Sequence, residues 1–328
     1  MPSAIVQTLE ELHEQHLDLP PPSVAPQRLE FGPERLLQAS ADHVLLRDTK
    51  RGDPLTEVNI GTVQALAHGS DGALFALGSN EGTWFESRSK KNRSFPRATF
   101  FPDSIVFADL EQPSYFYIYH SGDQELLRYA FETEAGAFSA LEARIPLEGC
   151  TSAPTQLRDG ALACRTASGL ARKAPRGARS DFKPEAELGQ PFRLLPANRL
   201  DELYAIERSG QVKRLRLAPG VPVLGAFQLP AQPYAVAANA EALAFVLVSA
   251  PEAGKERRWS LLVTDLEGRA RFRVELSAQA ASANEDWVKT VAEDKNLAIS
   301  GFEPLVAVGG PGHVAVWDYS AGQARFLR

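Results

Sequence analysis

From residue 28 to its end the chain repeats one texture. Short strand-forming runs such as "HVLLRD", "ALFALG", "YFYIYH", "ALACRT", "ELYAIE", "LAFVLV" and "LVAVGG" alternate with turn-forming residues. Branched and aromatic side chains favour a pleated, half-buried surface, while Gly, Pro, Asn and Asp end it. The second apolar residue of each run serves as a ruler: Val44, Leu74, Phe116, Leu162, Leu203, Leu243 and Leu305. Successive separations are 30, 42, 46, 41, 40 and 62 residues, four of them in a narrow band. A unit of that size cannot bury its own apolar face. It must stack on its neighbours, and that requirement constrains the fold more than any other feature of the chain.

A period of roughly 40 to 45 residues is the length of a four-stranded propeller blade. The units also share a downstream half, seen in "SDGALFALGSNEGTWFES", "LRDGALACRTASGLARKA" and "LDELYAIERSGQVKRLRL". Each reads as a run, a Gly-containing turn and a second run, which is a β-hairpin. Few helical periods interrupt the series, so a layout of alternating strands and helices is not expected. The fold expected is all-β: a propeller of seven four-stranded blades. The 30-residue step predicts a trimmed first blade around "TKRGDP". The 62-residue step contains "SAQAASANEDWVKTVAEDKN", expected to form a helix capped by Ser282 with Glu285 three residues on. Insertions of this kind map to one face of a propeller, which makes Trp287 a candidate partner contact.

The last unit carries one further feature. "LVAVGGPGHVAVWDYSAGQ", residues 305–323, resembles a WD repeat, with Trp317 and Asp318 as the Trp-Asp pair. A Gly-His dipeptide is present at Gly312-His313, inside the hairpin rather than early in the blade. The resemblance implies a propeller that works as a protein scaffold. It also implies a ring closed by exchange, one terminus lending a strand to the blade built by the other. "QRLEF", residues 27–31, is expected to fill that role beside Arg325–Leu327, since an unpaired last blade would expose a strand edge.

Ahead of the repeats, residues 3–17 predict a short helix capped by Ser3, with Ile5, Leu9 and Leu12 on one face. "DLPPP" stops it. The expected organisation is residues 1–22 as helix and Pro-rich linker, and 23–328 as one propeller. The N-terminus lacks the basic and apolar regions of a signal peptide, and no run of 18 apolar residues is present. A cytoplasmic protein with no membrane partner is expected. Two cysteines, Cys150 and Cys164, do not make a disulfide framework. They are read either as free thiols in a reducing compartment or as a single bridge. Arg supplies 26 of the 35 basic residues, a bias that fits a bacterial source.

The linear motifs of chemistry are missing. There is no G-x-S-x-G, P-loop or G-x-G-x-x-G, no calcium loop and no Cys/His group at metal spacing. His43, His68, His120 and His313 sit in or beside strands and turns and read as structural or surface residues. No catalytic or metal residue is assigned and no cofactor is expected. Two segments concentrate cations. "SRSKKNRSFPR" holds Arg88, Lys90, Lys91, Arg93 and Arg97, and "ARKAPRGARSDFK" holds Arg172, Lys173, Arg176 and Arg179. Both are expected on exposed loops, where they would attract an anionic partner to a chain of net charge −6. An acidic protein surface is the partner expected. Nucleic acid is disfavoured by the overall charge and stays open only through these loops. The function expected is a non-catalytic scaffold for protein–protein contacts; the alternative is a propeller enzyme or ligand-binding propeller with a site in the central channel.

Overall fold

The computed structural model describes residues 6–8, 28–39, 43–68, 72–79, 81–86, 92–96, 105–110, 112, 115–120, 123–132, 137–174, 177–185, 188–189, 191–249, 259–276, 296–310 and 313–327. A short strand β1 (Val6–Thr8) precedes seven four-stranded antiparallel blades. Blade one is β2 (Arg28–Gly32), β3 (Arg35–Ala39), β4 (His43–Asp48) and β5 (Pro54–Asn59). Blade two is β6 (Val63–His68), β7 (Leu74–Gly78), β8 (Glu81–Phe85) and β9 (Asn92–Pro96). Blade three is β10 (Ile105–Ala108), β11 (Tyr115–His120), β12 (Glu125–Glu132) and β13 (Ala137–Pro146). Blade four is β14 (Thr155–Gln156), β15 (Leu162–Thr166), β16 (Gly169–Lys173) and β17 (Arg179–Phe182). Blade five is β18 (Pro191–Pro196), β19 (Glu202–Glu207), β20 (Gln211–Arg216) and β21 (Val223–Gln228). Blade six is β22 (Gln232–Ala238), β23 (Ala242–Val248), β24 (Trp259–Asp265) and β25 (Ala270–Leu276). Blade seven is β26 (Leu297–Ile299), β27 (Leu305–Gly310), β28 (His313–Asp318) and β29 (Gln323–Leu327).

Every blade is a meander, and the first strands of neighbouring blades pack against one another around the central axis. The apolar core therefore lies between the blades. Seven clusters of buried side chains fill seven seams. Leu37, Val44 and Leu46 meet Val63, Leu74 and Phe85 between blades one and two. Leu203, Ala205 and Leu215 meet Leu157, Ala163 and Leu170 between blades four and five. A strand in the middle of a blade is covered on both faces, which is why "ALAFVLV" in β23 is apolar throughout and buried at every residue.

The seven anchor residues are all buried, but Val44 lies on a third strand whereas the other six lie on second strands. The short first step is thus an offset of one strand. Blade one has its full four strands and is not trimmed.

Closure also differs from expectation. Residues 28–32 pair with Arg35–Ala39 inside blade one, and blade seven draws all four strands from 297–327. Among the described residues no strand passes between blades one and seven, and the N-terminal strand β1 joins blade six instead. A first strand in blade one leaves nothing to lend, and the last seam is sealed by packing: Leu29, Phe31 and Leu36 against Ala307, Val316 and Phe326. Gly52, at φ 74°, allows this fit, since a Cβ there would stand 2.6 Å from the Phe326 ring. Across the same seam the Thr49 hydroxyl donates to Glu303 Oε2 at 2.9 Å. Of the stretch 3–17 read as a helix, the described part is β1, which runs parallel to β25 at the outer edge of blade six. The rest of that helix lies outside the described residues, as does the helix expected around Ser282 and Glu285.

Trp317 and Asp318 have separate structural roles. Trp317 is fully buried between blades six and seven, its indole N–H without a hydrogen-bond partner. Its contribution is packing. Asp318 closes the turn from β28 to β29: Oδ1 accepts from the backbone N–H of Ser320 at 3.1 Å and of Ala321 at 3.0 Å, and Oδ2 accepts from Arg325 at 2.6 Å. Asp48 and Asp265 close the equivalent turns of blades one and six in the same way. Burial alone would raise the Asp318 pKa, but the Ala321 N–H, the Ser320 hydroxyl and Arg325 outweigh it and hold the carboxyl below its ordinary value.

Cys150 and Cys164 are joined by a disulfide, with Cα atoms 5.7 Å apart, in the core between blades three and four.

Two outcomes follow for stability. Asp318→Ala should cost about 2 kcal/mol in urea unfolding, the scale of hydrogen bonds to a charged group. Because the folded pKa of Asp318 is depressed, its contribution is present at neutral pH and lost as pH falls through the folded value, so wild type and variant should converge in acid. Reduction of the bridge should lower stability by about 3 kcal/mol, the chain-entropy expectation for so short a loop, with the blades still folded by circular dichroism.

Candidate functional site

In each blade the first strand runs toward one face of the disc and turns there into the second. The turns from third to fourth strands lie at the same face. Four large apolar side chains are exposed among the described residues, and all four belong to this face. Leu110, Leu200 and Phe302 sit in first-to-second turns of blades three, five and seven, and Val223 follows the third-to-fourth turn of blade five. Their exposures run from 38% for Leu110 to 56% for Leu200, well beyond what a seam residue shows.

The turns that carry these residues are held firmly. Ser300 is fully buried, and its hydroxyl accepts from the N–H groups of Phe302 at 3.1 Å and Glu303 at 3.2 Å, which directs Phe302 outward. Ser300 O in turn accepts from Asn239 Nδ2 of blade six at 2.7 Å. Leu110 follows Asp109, a buried carboxylate that accepts from the Gln112 N–H at 3.1 Å and the Tyr117 hydroxyl at 3.0 Å. Burial, together with that bond, pushes the Tyr117 phenol up to about 12, so it stays protonated as the donor. Leu200 sits in a turn closed by the Ala197 N–H to Glu202 O bond at 3.1 Å.

Beside Leu200, three arginines surround one carboxylate. Glu202 is almost completely buried; Arg216 approaches Oε1 at 3.1 Å, Arg214 approaches Oε2 at 3.4 Å and Arg199 lies 3.8 Å from Oε1. Asp201 adds a second carboxylate, 3.5 Å from Arg216. Three cations against two anions leave this corner positive, and Arg199 is its most exposed member.

Nearer the axis, His68 ends β6 and its Nδ1 lies 2.9 Å from Glu30 Oε1 on β2, across the seam of blades one and two. Arg158, in the first-to-second turn of blade four, donates through Nε to the Ala197 carbonyl of blade five at 3.4 Å. Desolvation lowers the His68 pKa, and Arg158 opposes its charge, but Glu30 outweighs both through its charge and hydrogen bond, so the net shift is upward.

The residues singled out from sequence are distributed differently. Arg88, Lys90, Lys91, Arg97, Arg176 and Trp287 lie outside the described residues. Arg93 is in β9, paired in register with Trp84. Arg172 and Lys173 are in β16 and Arg179 in β17, so these are strand residues rather than loop residues. They are also engaged: Arg172 is ion-paired with Asp159, Lys173 donates to the Gly177 carbonyl at 2.7 Å, and Arg179 binds Asp181 at 2.7 Å and the Glu148 carbonyl. Of the two basic segments, the described side chains are therefore those of Arg172, Lys173 and Arg179, and each is held by a partner within blade four or on Glu148. Sequence reading missed the apolar turn residues. Their trace was an isolated apolar residue amid turn formers, as in "ADLEQP", "ANRLDE" and "SGFEP".

No family model and no curated protein matches the sequence. Solved structures of the same architecture do. The virginiamycin B lyase of Staphylococcus aureus is 16% identical, with 91% of this chain and 96% of that chain covered at a TM-score of 0.57. The β-propeller domain of Cps50 (Swd1) from Myceliophteria thermophila is 13% identical, with 92% and 99% covered and a TM-score of 0.61. Sqt1 of Chaetomium thermophilum, solved bound to the N-terminus of the ribosomal protein L10, is 13% identical, with 93% and 88% covered and a TM-score of 0.53. At these identities the likeness is one of fold: a seven-bladed propeller.

The His68–Glu30 pair should leave a pH signature. A histidine whose folded pKa is raised stabilises the fold fully below its unfolded pKa and loses that contribution as pH rises through the folded value. Wild type should therefore lose stability relative to Glu30→Gln as pH is raised across that interval, measured by thermal unfolding in parallel buffers.

Proposed function

We propose that the protein is a scaffold that holds a protein partner against the face bearing its first-to-second turns, and that it acts by binding rather than by chemistry. One observation carries this reading: the large apolar side chains exposed among the described residues, Leu110, Leu200, Val223 and Phe302, all occupy that face. Apolar anchors on turns already fixed by buried hydrogen bonds lose little entropy on binding. A few well-buried anchors carry most of the affinity of a protein interface, and Arg is among the residue types enriched there.

The chemistry of the partner follows from the surroundings of Leu200. The surplus of arginine at Arg199, Arg214 and Arg216 favours a partner whose apolar anchor is flanked by acidic residues. Segments 87–91 and 174–178 join the third and fourth strands of blades two and four, whose ends lie at this face. Lys90, Lys91 and Arg176 would then add to the same attraction, with Arg88, Arg97 and Trp287 as further candidate contacts. Sqt1, of the same architecture, binds the N-terminus of a ribosomal protein, which supports peptide capture as a use of this fold.

Among the described residues no helix is long and apolar enough to cross a membrane. The bridge between Cys150 and Cys164 favours an oxidising compartment over the cytoplasm expected from sequence, because disulfides are rare where thiols are kept reduced.

The test compares faces. Leu110→Ser, Leu200→Ser and Phe302→Ser in one chain should leave the circular dichroism spectrum and melting temperature close to wild type, since exposed side chains contribute little to stability. Quantitative cross-linking in native extract should then lose the partners that wild type captures, while a variant of the opposite face, Glu148→Ser with Gln232→Ser, keeps them. Partners retained by the triple variant would overturn the proposal.

A further inference from the structure

We propose that the mouth of the central channel binds a small oxyanion, a carboxylate or a phosphate, between the Arg158 guanidinium and the His68 imidazole. The site lies at the centre of the same turn face, but it uses none of the apolar anchors Leu110, Leu200, Val223 and Phe302, so it stands independently of the docking proposal.

The placement comes from the ring itself. First strands line the axis, and β2 and β6 are neighbours there. His68 is the last residue of β6, next to the turn, and Arg158 is in the corresponding turn of blade four. Both therefore stand at the same end of the channel. His68 keeps about half of its side chain open to solvent, at 53%. Its Nδ1 is taken up by Glu30, and Nε2 makes no hydrogen bond among the described residues. Carboxylate binding at Nδ1 fixes the ring and leaves Nε2 facing outward, as a donor when the ring is protonated.

Arg158 completes the arrangement. Its one polar contact among the described residues is the Ala197 carbonyl, made through Nε, and no carboxylate neutralises it. That contact orients the guanidinium and leaves both Nη groups as donors, the planar fork that suits an oxyanion. Asp159, next in sequence, is occupied by Arg172. With Glu30 balancing a protonated His68, the set keeps one net positive charge, and the influence of Arg158 on His68 places the two within electrostatic reach. Of the strands packed on β6, β7 and β10 contain no charged residue, and β2 contains Arg28 and Glu30. No other titratable group on these strands competes for the anion.

The experiment uses the full chain with inorganic phosphate and acetate as probes, followed by His68 ring resonances and by calorimetry. Wild type should bind at least one of the two with perturbation of the His68 ring, more weakly as pH rises through the His68 titration. Arg158→Gln should weaken binding about tenfold, the loss of one charge-assisted contact, and Arg158→Lys should fall between. His68→Gln, which keeps a donor toward Glu30, should abolish the pH dependence. If neither anion moves the His68 resonances, or if both variants bind with wild-type affinity and pH profile, the proposal is wrong. The triple variant of Leu110, Leu200 and Phe302 should bind the anion normally, which separates this result from the fate of the docking face.

Discussion

The whole molecule depends on burial between blades. A single four-stranded sheet has two faces, and in this chain both are apolar, so no blade is stable without a neighbour on each side. Each seam supplies a cluster of buried side chains, and the seven seams make a closed set. Closure is thus a consequence of patterning. Polar bonds then fix the blades in register at the turn face: Gln156 to the Ala108 carbonyl, Arg158 to Ala197, the Tyr204 hydroxyl to the Leu266 carbonyl, Asn239 to Ser300 and Thr49 to Glu303. Each is modest in net energy, but each satisfies a group that would otherwise be buried and unpaired.

Much of this was legible from residues 28 onward, because a repeat of short apolar runs is a direct trace of blades that bury both faces. The anchor residues identify the second strands of six blades and miss by one strand only in blade one, where "HVLLRD" is the third strand and "RLLQA" the second. Closure was not legible. "QRLEF" has the character of a strand wherever it pairs, and in the structure Arg28–Gly32 folds back on Arg35–Ala39 through the short turn at Pro33 and Glu34. The basic segment of blade four was half legible: Asp181 stands two residues from Arg179 in the same strand, whereas Asp159, the partner of Arg172, lies 13 residues away and meets it only through the fold.

The candidate site was less legible than the fold, for physical reasons. A turn residue is exposed because its neighbours are capped, and the capping groups, such as Ser300 and Asp109, come from tertiary context. His68, Glu30 and Arg158 are far apart in sequence and approach one another only because the ring brings three blades to one axis. The same geometry separates two uses of the molecule. The rim of the turn face offers broad apolar contact suited to a macromolecule, whereas the channel mouth at its centre offers a few charges suited to a small ion.

The absence of strand exchange between blades seven and one among the described residues has a consequence for how this ring is specified. When a propeller is tied by a shared strand, one blade is held together by hydrogen bonds between strands from the two ends of the chain, and the chain has a defined first blade. Here the seam between blades seven and one is built from the same materials as the other six, with Phe326, Gly52, Thr49 and Glu303 doing locally what equivalent residues do elsewhere. A permuted chain, opened between two other blades and linked from 327 to 28, would present the same set of seams and lose the pairing of β1 with β25, so it is that outer edge of blade six, and not a seam, that ties blade order to the start of the chain.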